Sequence, residues 1–387
     1  MLTRESYLSK IRGFYNSDLV KILVGIRRCG KSVILQQIIK ELKDDGVEED
    51  HIIDVNFEFI EYEELKDYKK LNTYIKDKIK DKKIYYIFLD EVQNVDKFEY
   101  VVNSLRASVK NVSIFITGSN SKMLSVLSGR YVLFNISPLS YKEYIAFTGK
   151  DAYNMDNFWD YAKWGGLPNR CEFTNDVDIK NYLHSVFDSI ILRDIVKRLN
   201  LQDVTLFDMI LQYLIDTTGR ELSAENIVKY LESEYRKVST ETIYSYIDAL
   251  CKALIIKRVY RYDVHGRGVL KTLNKYYATD LGIAQIKNNN PNFKNYVVLE
   301  NIVYNELLIR GYDVYIGKTK NGEIDFMAIK DGITNYIQVT YLLNSDEVID
   351  REYGAFDVIE DNYPKYVISL DKNYPETNGI KHINIID

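Results

Sequence analysis

Gly25-Ile26-Arg27-Arg28-Cys29-Gly30-Lys31-Ser32 follows the apolar run Ile22-Leu23-Val24 and opens an amphipathic stretch from Lys31 to Leu42. A buried strand, a loop bounded by glycines and a helix starting on Lys-Ser is the setting in which backbone N–H groups curl around phosphates. The helix start presents its positive end to the same charge. In this reading Lys31 reaches the β- and γ-phosphates of ATP, and the Ser32 hydroxyl ligates Mg²⁺. The plainer alternative is a glycine turn between a strand and a helix.

Downstream, Ile84-Tyr85-Tyr86-Ile87-Phe88-Leu89-Asp90-Glu91 is an apolar strand that ends in two acids. Burying them is costly unless they face a cation or a polar cleft. Asp90 is expected to hold the Mg²⁺ hydration shell and Glu91 to orient or deprotonate the attacking water. The strand after it ends in Ile116-Thr117-Gly118-Ser119-Asn120. Asn120 is placed to reach between the acid pair and the γ-phosphate, against the plainer reading of a capped turn. Arg130, in Ser128-Gly129-Arg130, is a candidate charge sensor or arginine finger, against a surface arginine.

Apolar runs at Lys21 to Val24, Ile52 to Phe57, Ile84 to Leu89 and Ser113 to Thr117 alternate with helical periodicity at Lys31 to Leu42 and Phe98 to Val109. That is the α/β pattern of a parallel sheet covered by helices. Residues 1–150 are therefore read as a P-loop ATPase domain. A helical lid over 151–205 is interrupted by Gly165-Gly166-Leu167-Pro168. Over 206–280, Ser-capped helices at Ser223 to Leu231 and from Ser239 to near Leu254 precede a hairpin, Ile255 to Tyr262 and Leu273 to Ala278. This reads as a winged helix. Residues 281–387 form a last α/β block, with a helix at Leu299 to Arg310 and strands at Asp313 to Ile316, Ile324 to Ile329 and Tyr336 to Tyr341.

A chain of 387 residues with 46% hydrophobic and 28% charged residues has the composition of a folded multidomain protein, and no apolar run is long enough to span a bilayer. The start, Met1 to Tyr7, has no signal-peptide core, so a cytoplasmic location and no membrane partner are expected. Cys29, Cys171 and Cys251 lack the spacing of a zinc site or disulfide framework and are read as free thiols. His51, His184, His265 and His382 are isolated and receive no catalytic role. A net charge of -5 excludes a surface coated for indiscriminate nucleic-acid binding.

Together, Gly25 to Ser32, Leu89-Asp90-Glu91-Val92-Gln93, Thr117-Gly118-Ser119-Asn120, Gly129-Arg130, Pro138-Leu139-Ser140 and Gly165-Gly166-Leu167-Pro168 resemble an AAA+ type ATPase of the archaeal-type ATPase group. The resemblance covers nearly the whole chain and implies ATP binding and hydrolysis, followed by a winged helix and a carboxy-terminal domain of unknown function. It gives no substrate.

A winged helix places its second helix in the DNA major groove and its wing on phosphate. Lys237, Lys252, Lys257, Arg258, Arg261, Arg267 and Lys271 supply positive charge there, interleaved with Tyr244, Tyr246, Tyr260 and Tyr262. A protein-contact module is the alternative. In the tail, Glu300, Asp325 of Gly322-Glu323-Ile324-Asp325-Phe326, and Gln338-Val339-Thr340 resemble a restriction-endonuclease-like core with a degenerate metal site. There Gln338 stands for an acid and Thr340 for the lysine, which Lys318 or Lys320 would have to replace. The expected function is an ATP-driven switch or motor acting on DNA. The alternatives are an ATP-gated nuclease and a signalling or assembly ATPase that binds protein partners or copies of itself.

Overall fold

The computed structural model describes residues 2–119, 129–196, 203–266, 268–288, 295–320 and 322–387. Two units emerge: Met1–Pro138 with Lys252–Leu254, and Leu139–Cys251 with Ile255–Asp387.

In the first unit, strands β1 (Val20–Val24), β2 (Ile52–Asn56), β3 (Tyr85–Asp90), β4 (Val112–Gly118) and β5 (Tyr131–Asn135) form one sheet in the order β2-β3-β4-β1-β5. Every pairing is parallel. Parallel strands need crossovers, and helices Lys31–Asp44, Tyr68–Lys78 and Phe98–Ser108 supply them. Both faces of the central strands are covered, so they read as unbroken apolar runs. Ile22, Val24, Ile87, Leu89, Ile114 and Ile116 pack with Leu71, Val101 and Leu105 in the core. At about 1.5–3 kcal/mol per buried aliphatic side chain, this packing dominates the unit's stability. The consequence for function is directional: β1, β3 and β4 all deliver their carboxyl ends to one edge.

In the second unit, β6 (Ile256–Asp263), β7 (Gly268–Ala278), β8 (Asp313–Lys318), β9 (Glu323–Lys330), β10 (Ile333–Val339), β11 (Lys365–Ser369) and β12 (Ile380–Asn384) form one mixed sheet, ordered β12-β11-β10-β9-β8-β6-β7. The hairpin expected as a wing is the far end of this sheet. β6 pairs in parallel with β8, Arg261 opposite Ile316 and Asp263 opposite Lys318. The division expected at 280 therefore falls inside a continuous hydrogen-bonded layer. Helices Ala224–Ser233 and Thr240–Lys252 form as expected, capped by Ser223, which accepts from the Asn226 N–H, and by Ser239, which accepts from that of Thr242.

Residues 155–196 are helical in four pieces, Met155–Trp164, a short 3-10 turn at Pro168–Glu172, Asp176–Ile190 and a π-turn at Ile191–Val196. These do not stand apart as a lid over 151–205 but belong to the same unit as the sheet. The Gly165-Gly166 turn explains why. Gly165 has φ 71°, and a Cβ on Gly166 would lie 2.1 Å from the Leu139 carbonyl oxygen. Only glycine permits this approach. The Gly166 N–H donates to buried Asp280 at 2.8 Å, which locks the turn to the end of β7.

Candidate active site

The loop from Gly25 to Gly30 leaves β1 at the carboxyl edge of the first sheet and enters the helix Lys31–Asp44. Its first glycine is required by space: a Cβ on Gly25 would sit 2.2 Å from the Ile136 carbonyl oxygen and 2.7 Å from Cys29 Sγ. Gly30 is required by conformation, with φ 101°. Arg28 also adopts a left-handed φ of 66°, an uncommon state for a residue with a side chain. Ile26 and Cys29 are buried, and burial pushes the Cys29 thiol up. Arg27 pairs with Glu58 at 3.5 Å, and Arg28 is exposed.

Lys31 folds back over its own loop. Its Nζ donates to the carbonyls of Gly25 at 3.1 Å and Ile26 at 3.3 Å and lies 3.7 Å from the Glu91 carboxylate. Neutral carbonyls are weak partners for a buried ammonium, so an incoming phosphate can displace them.

Asp90 ends β3 and is buried. Asn56 Nδ2 donates to it at 2.9 Å, and the hydroxyls of Thr117 and Ser32 donate as well. Burial pushes the Asp90 carboxyl up, while the Thr117 and Ser32 hydroxyls partly pull it back. Glu91 sits at φ 55°, with its N–H bonded to Thr117 Oγ1 at 2.9 Å and its carboxylate held by Gln93. A non-glycine residue in the left-handed region costs about 1–3 kcal/mol and persists only where the surroundings impose it. The paired Ser32 hydroxyl and Asp90 carboxylate are hard oxygen donors of the kind and number that a Mg²⁺ accompanying substrate phosphates would take from the protein.

Two expected members stand differently. Asn120 lies outside the described residues, although Ser119 before it is buried and lies 3.5 Å from Gln93 Nε2. Arg130 is not brought to the loop of its own chain. It precedes β5, which runs parallel to β1 with Val20 opposite Tyr131 and Val24 opposite Asn135. About 20 Å of strand therefore separates Arg130 from Gly25.

The tail cluster also forms, with altered membership. Glu300, on the helix Asn295–Ile309, accepts from the Tyr277 hydroxyl, and Asp325, on β9, accepts from the Val339 N–H at 2.8 Å. Gln338 does not offer its carbonyl oxygen outward, because that oxygen accepts from the Asp325 N–H at 2.7 Å. A lysine is present, from the hairpin strand that the sequence assigned to the wing and not to this cluster. Lys275 on β7 lies 2.5 Å from Glu323 and 3.6 Å from Glu300. Burial alone would lower its pKa, but Glu300, Glu323 and Asp325 hold it above the usual lysine value. Burial pushes Asp325 well up, with the Glu300 charge adding to it. These residues and Thr340 line a cavity of about 1070 Å³. Among the described residues, no group of three or more His, Cys, Asp or Glu side chains is arranged to hold a metal ion.

Two of the expected DNA-facing cations are engaged by acids of the chain itself. Arg258 bonds Asp248 at 3.0 Å and stacks on Tyr276, and buried Arg261 pairs with Glu221 at 2.8 Å. Arg267 lies outside the described residues. No helix among those described is long and apolar enough to cross a membrane.

Residues 17–145 match the model of an AAA domain, and residues 155–292 match a domain of unknown function (DUF8612), whose match ends inside the second unit. A Haemophilus influenzae protein described as uncharacterized is 36% identical over 403 residues, covering 100% of this chain and 98% of its own. An uncharacterized protein of Methanocaldococcus jannaschii is 29% identical, over 87% of this chain and 78% of its own. Among solved structures, the Walker-type ATPase of Pyrococcus abyssi superposes with a TM-score of 0.51 at 16% identity, covering 74% of this chain and 96% of that one, a likeness of fold. The chain belongs to the family of the Haemophilus influenzae protein, and the AAA-domain match falls almost wholly on its first unit.

Proposed function

We propose that this chain binds ATP with Mg²⁺ and hydrolyses it, as a switch whose nucleotide state acts on the second unit. The observation that carries the reading is the meeting of Lys31, Ser32, Asp90 and Glu91 at one carboxyl edge of a parallel sheet. The loop N–H groups and the helix start bind the phosphates, and Lys31 leaves its carbonyls to neutralise the γ-phosphate. Ser32 and Asp90 would hold the Mg²⁺, which would supply charge neutralisation to the phosphates when bound. Glu91, pinned by Thr117 and Gln93, orients the attacking water and takes its proton.

DNA is the partner this reading favours, supported by the paired helices Ala224–Ser233 and Thr240–Lys252 and the exposed Tyr235-Arg236-Lys237 turn between them. Arg236 of that turn pairs with Asp203 at 3.3 Å, as Arg258 and Arg261 pair with acids of their own, so Lys237 carries the turn's exposed charge in this reading. The test is ATP turnover in wild type and Lys31→Ala, with and without single- and double-stranded DNA. Turnover is expected in wild type and none in the variant; residual turnover in Lys31→Ala would remove the loop assignment. Neither binding nor stimulation by DNA would shift the partner to protein.

A second reading, an ATP-gated nuclease, draws on one observation, the buried Lys275 beside Glu300 and Glu323. Against it stand the neutral Gln338, its oxygen already engaged, and Thr340. No nicking of plasmid DNA with Mg²⁺ or Mn²⁺ is therefore expected. Cleavage that disappears in Asp325→Ala would reverse this preference.

A further inference from the structure

We infer that Arg4, a residue outside every phosphate-site motif, is a positioning residue for ATP hydrolysis: it sets the direction in which the Gly30 N–H points. The inference rests on the ATP reading of the loop.

Arg4 is 3% exposed although it stands near the start of the chain. Its Nη1 donates to the Cys29 carbonyl at 3.1 Å and to the Ser137 carbonyl at 2.9 Å, and its Nη2 donates to the Pro138 carbonyl at 3.3 Å. The phosphate loop and the end of the β5 segment thus share one guanidinium. The side chain is itself held in place. The Arg4 N–H donates to Gln37 Oε1 at 3.2 Å, and Gln37 Nε2 donates to the Leu2 carbonyl at 2.6 Å, so the helix that follows the loop also fastens the segment carrying Arg4. The guanidinium lies 4.6 Å from the Tyr7 ring centre, and the Tyr7 hydroxyl accepts from the Ser137 N–H at 3.0 Å. Ser137 is gripped at both its carbonyl and its amide.

The functional consequence comes from peptide geometry. In a planar trans peptide, the carbonyl of one residue and the N–H of the next point in opposite directions. Arg4 draws the Cys29 carbonyl toward itself, so the Gly30 N–H is directed away from Arg4. Gly30, at φ 101°, has the freedom to let that plane rotate if the carbonyl is released. A rotated plane would present a carbonyl, not an N–H, to the phosphates, replacing attraction by repulsion. A planar fork that spans three carbonyls on two separate segments suits this task, and an ammonium, reaching one point, does not.

The experiment compares wild type, Arg4→Lys, Arg4→Ala and Lys31→Ala for ATP affinity, turnover at saturating ATP and thermal midpoint. Arg4→Lys keeps volume and charge. It is expected to melt within a few degrees of wild type yet turn over at least about tenfold more slowly. Arg4→Ala is expected to lose affinity as well, by about tenfold, and to regain part of its turnover on addition of guanidinium ion at sub-denaturing concentration. A merely structural role would make guanidinium, a denaturant, lower activity further. Arg4→Lys with wild-type turnover overturns the inference, as does activity in Arg4→Ala that tracks its folded fraction and is not rescued. If Arg4→Ala does not fold, Arg4→Lys decides alone. Wild-type protein without ATP binding or turnover would overturn the ATP reading and this inference together, whereas normal wild type and inactive Lys31→Ala beside normal Arg4 variants would overturn this inference only.

Discussion

Lys31 and Lys275 are both 3% exposed and both lie near carboxylates, yet one is held to be released and the other to stay. Lys31 rests on two backbone carbonyls, with Glu91 at 3.7 Å. Lys275 is clamped by Glu323 and Glu300, and Tyr277 bonds Glu300 from another side. A cation on neutral acceptors keeps most of its charge available to a ligand. One on two carboxylates has its charge spent within the fold. Proximity of acids and a lysine is therefore not enough to read chemistry; what the lysine already holds decides.

The sharpest way to break this contrast is to remove the clamped lysine. Lys275→Met leaves Glu300, Glu323 and Asp325 without their cation and should cost about 3–5 kcal/mol, as for other buried pairs that lose one partner. Adding Glu300→Gln should recover part of the loss. Both tryptophans, Trp159 and Trp164, lie in the second unit, so their fluorescence during denaturant unfolding reports it selectively. A change below about 1 kcal/mol would mean the cluster is not a structural clamp.

On the side of the available lysine, Glu91→Gln should keep ATP binding and slow hydrolysis by about a hundredfold or more, the usual loss for a general base. Single-turnover hydrolysis with nucleotide binding measured in parallel checks this, and wild-type rates would take Glu91 out of the reaction.

A third buried lysine extends the comparison with a smaller effect. Lys21 on β1 bonds Ser113 Oγ at 2.7 Å and the Ser17 carbonyl at 2.9 Å, and burial lowers its pKa to about 7, with Asp18 only partly opposing the shift. Between that value and the ordinary lysine range, the unfolded chain holds a proton that the folded chain has lost, so stability rises with pH across this window. Relative to Lys21→Met, wild type should gain up to about 1 kcal/mol per pH unit from about pH 7.5 to 9.5. Circular dichroism of the transition that tryptophan does not follow measures it; a flat difference would mean Lys21 keeps its proton.

The phosphate loop was legible because its parts are contiguous: strand, glycines, Lys31 and Ser32 fall within a dozen residues, and Asp90-Glu91 closes an apolar run. Arg4 and Lys275 were not, because each acts on groups more than twenty residues away and carries no local pattern. β5 went unread although Tyr131-Val132-Leu133-Phe134 is as apolar as Ile22-Leu23-Val24; it is a short run, and its first three residues are only half-buried. The missing strand explains the Arg130 expectation, since without β5 nothing indicates at which end of the sheet that arginine stands. Gln338 shows a different limit: its type allowed a metal-facing carbonyl, and only the register of β9 and β10 reveals that Asp325 uses it.

The joining of β6 to β8 bears on how the molecule can be divided. A fragment stopping after residue 280, or at 292 where the family match ends, would keep the hairpin and lose its neighbour. The backbone donors and acceptors of β6 from Arg261 to Asp263 would then face water along an open strand edge, a template for pairing with other chains. Such a piece would aggregate, and its insolubility would say nothing of the helices it was cut to isolate. The natural cut for study lies at Pro138, where no strand pairing is severed.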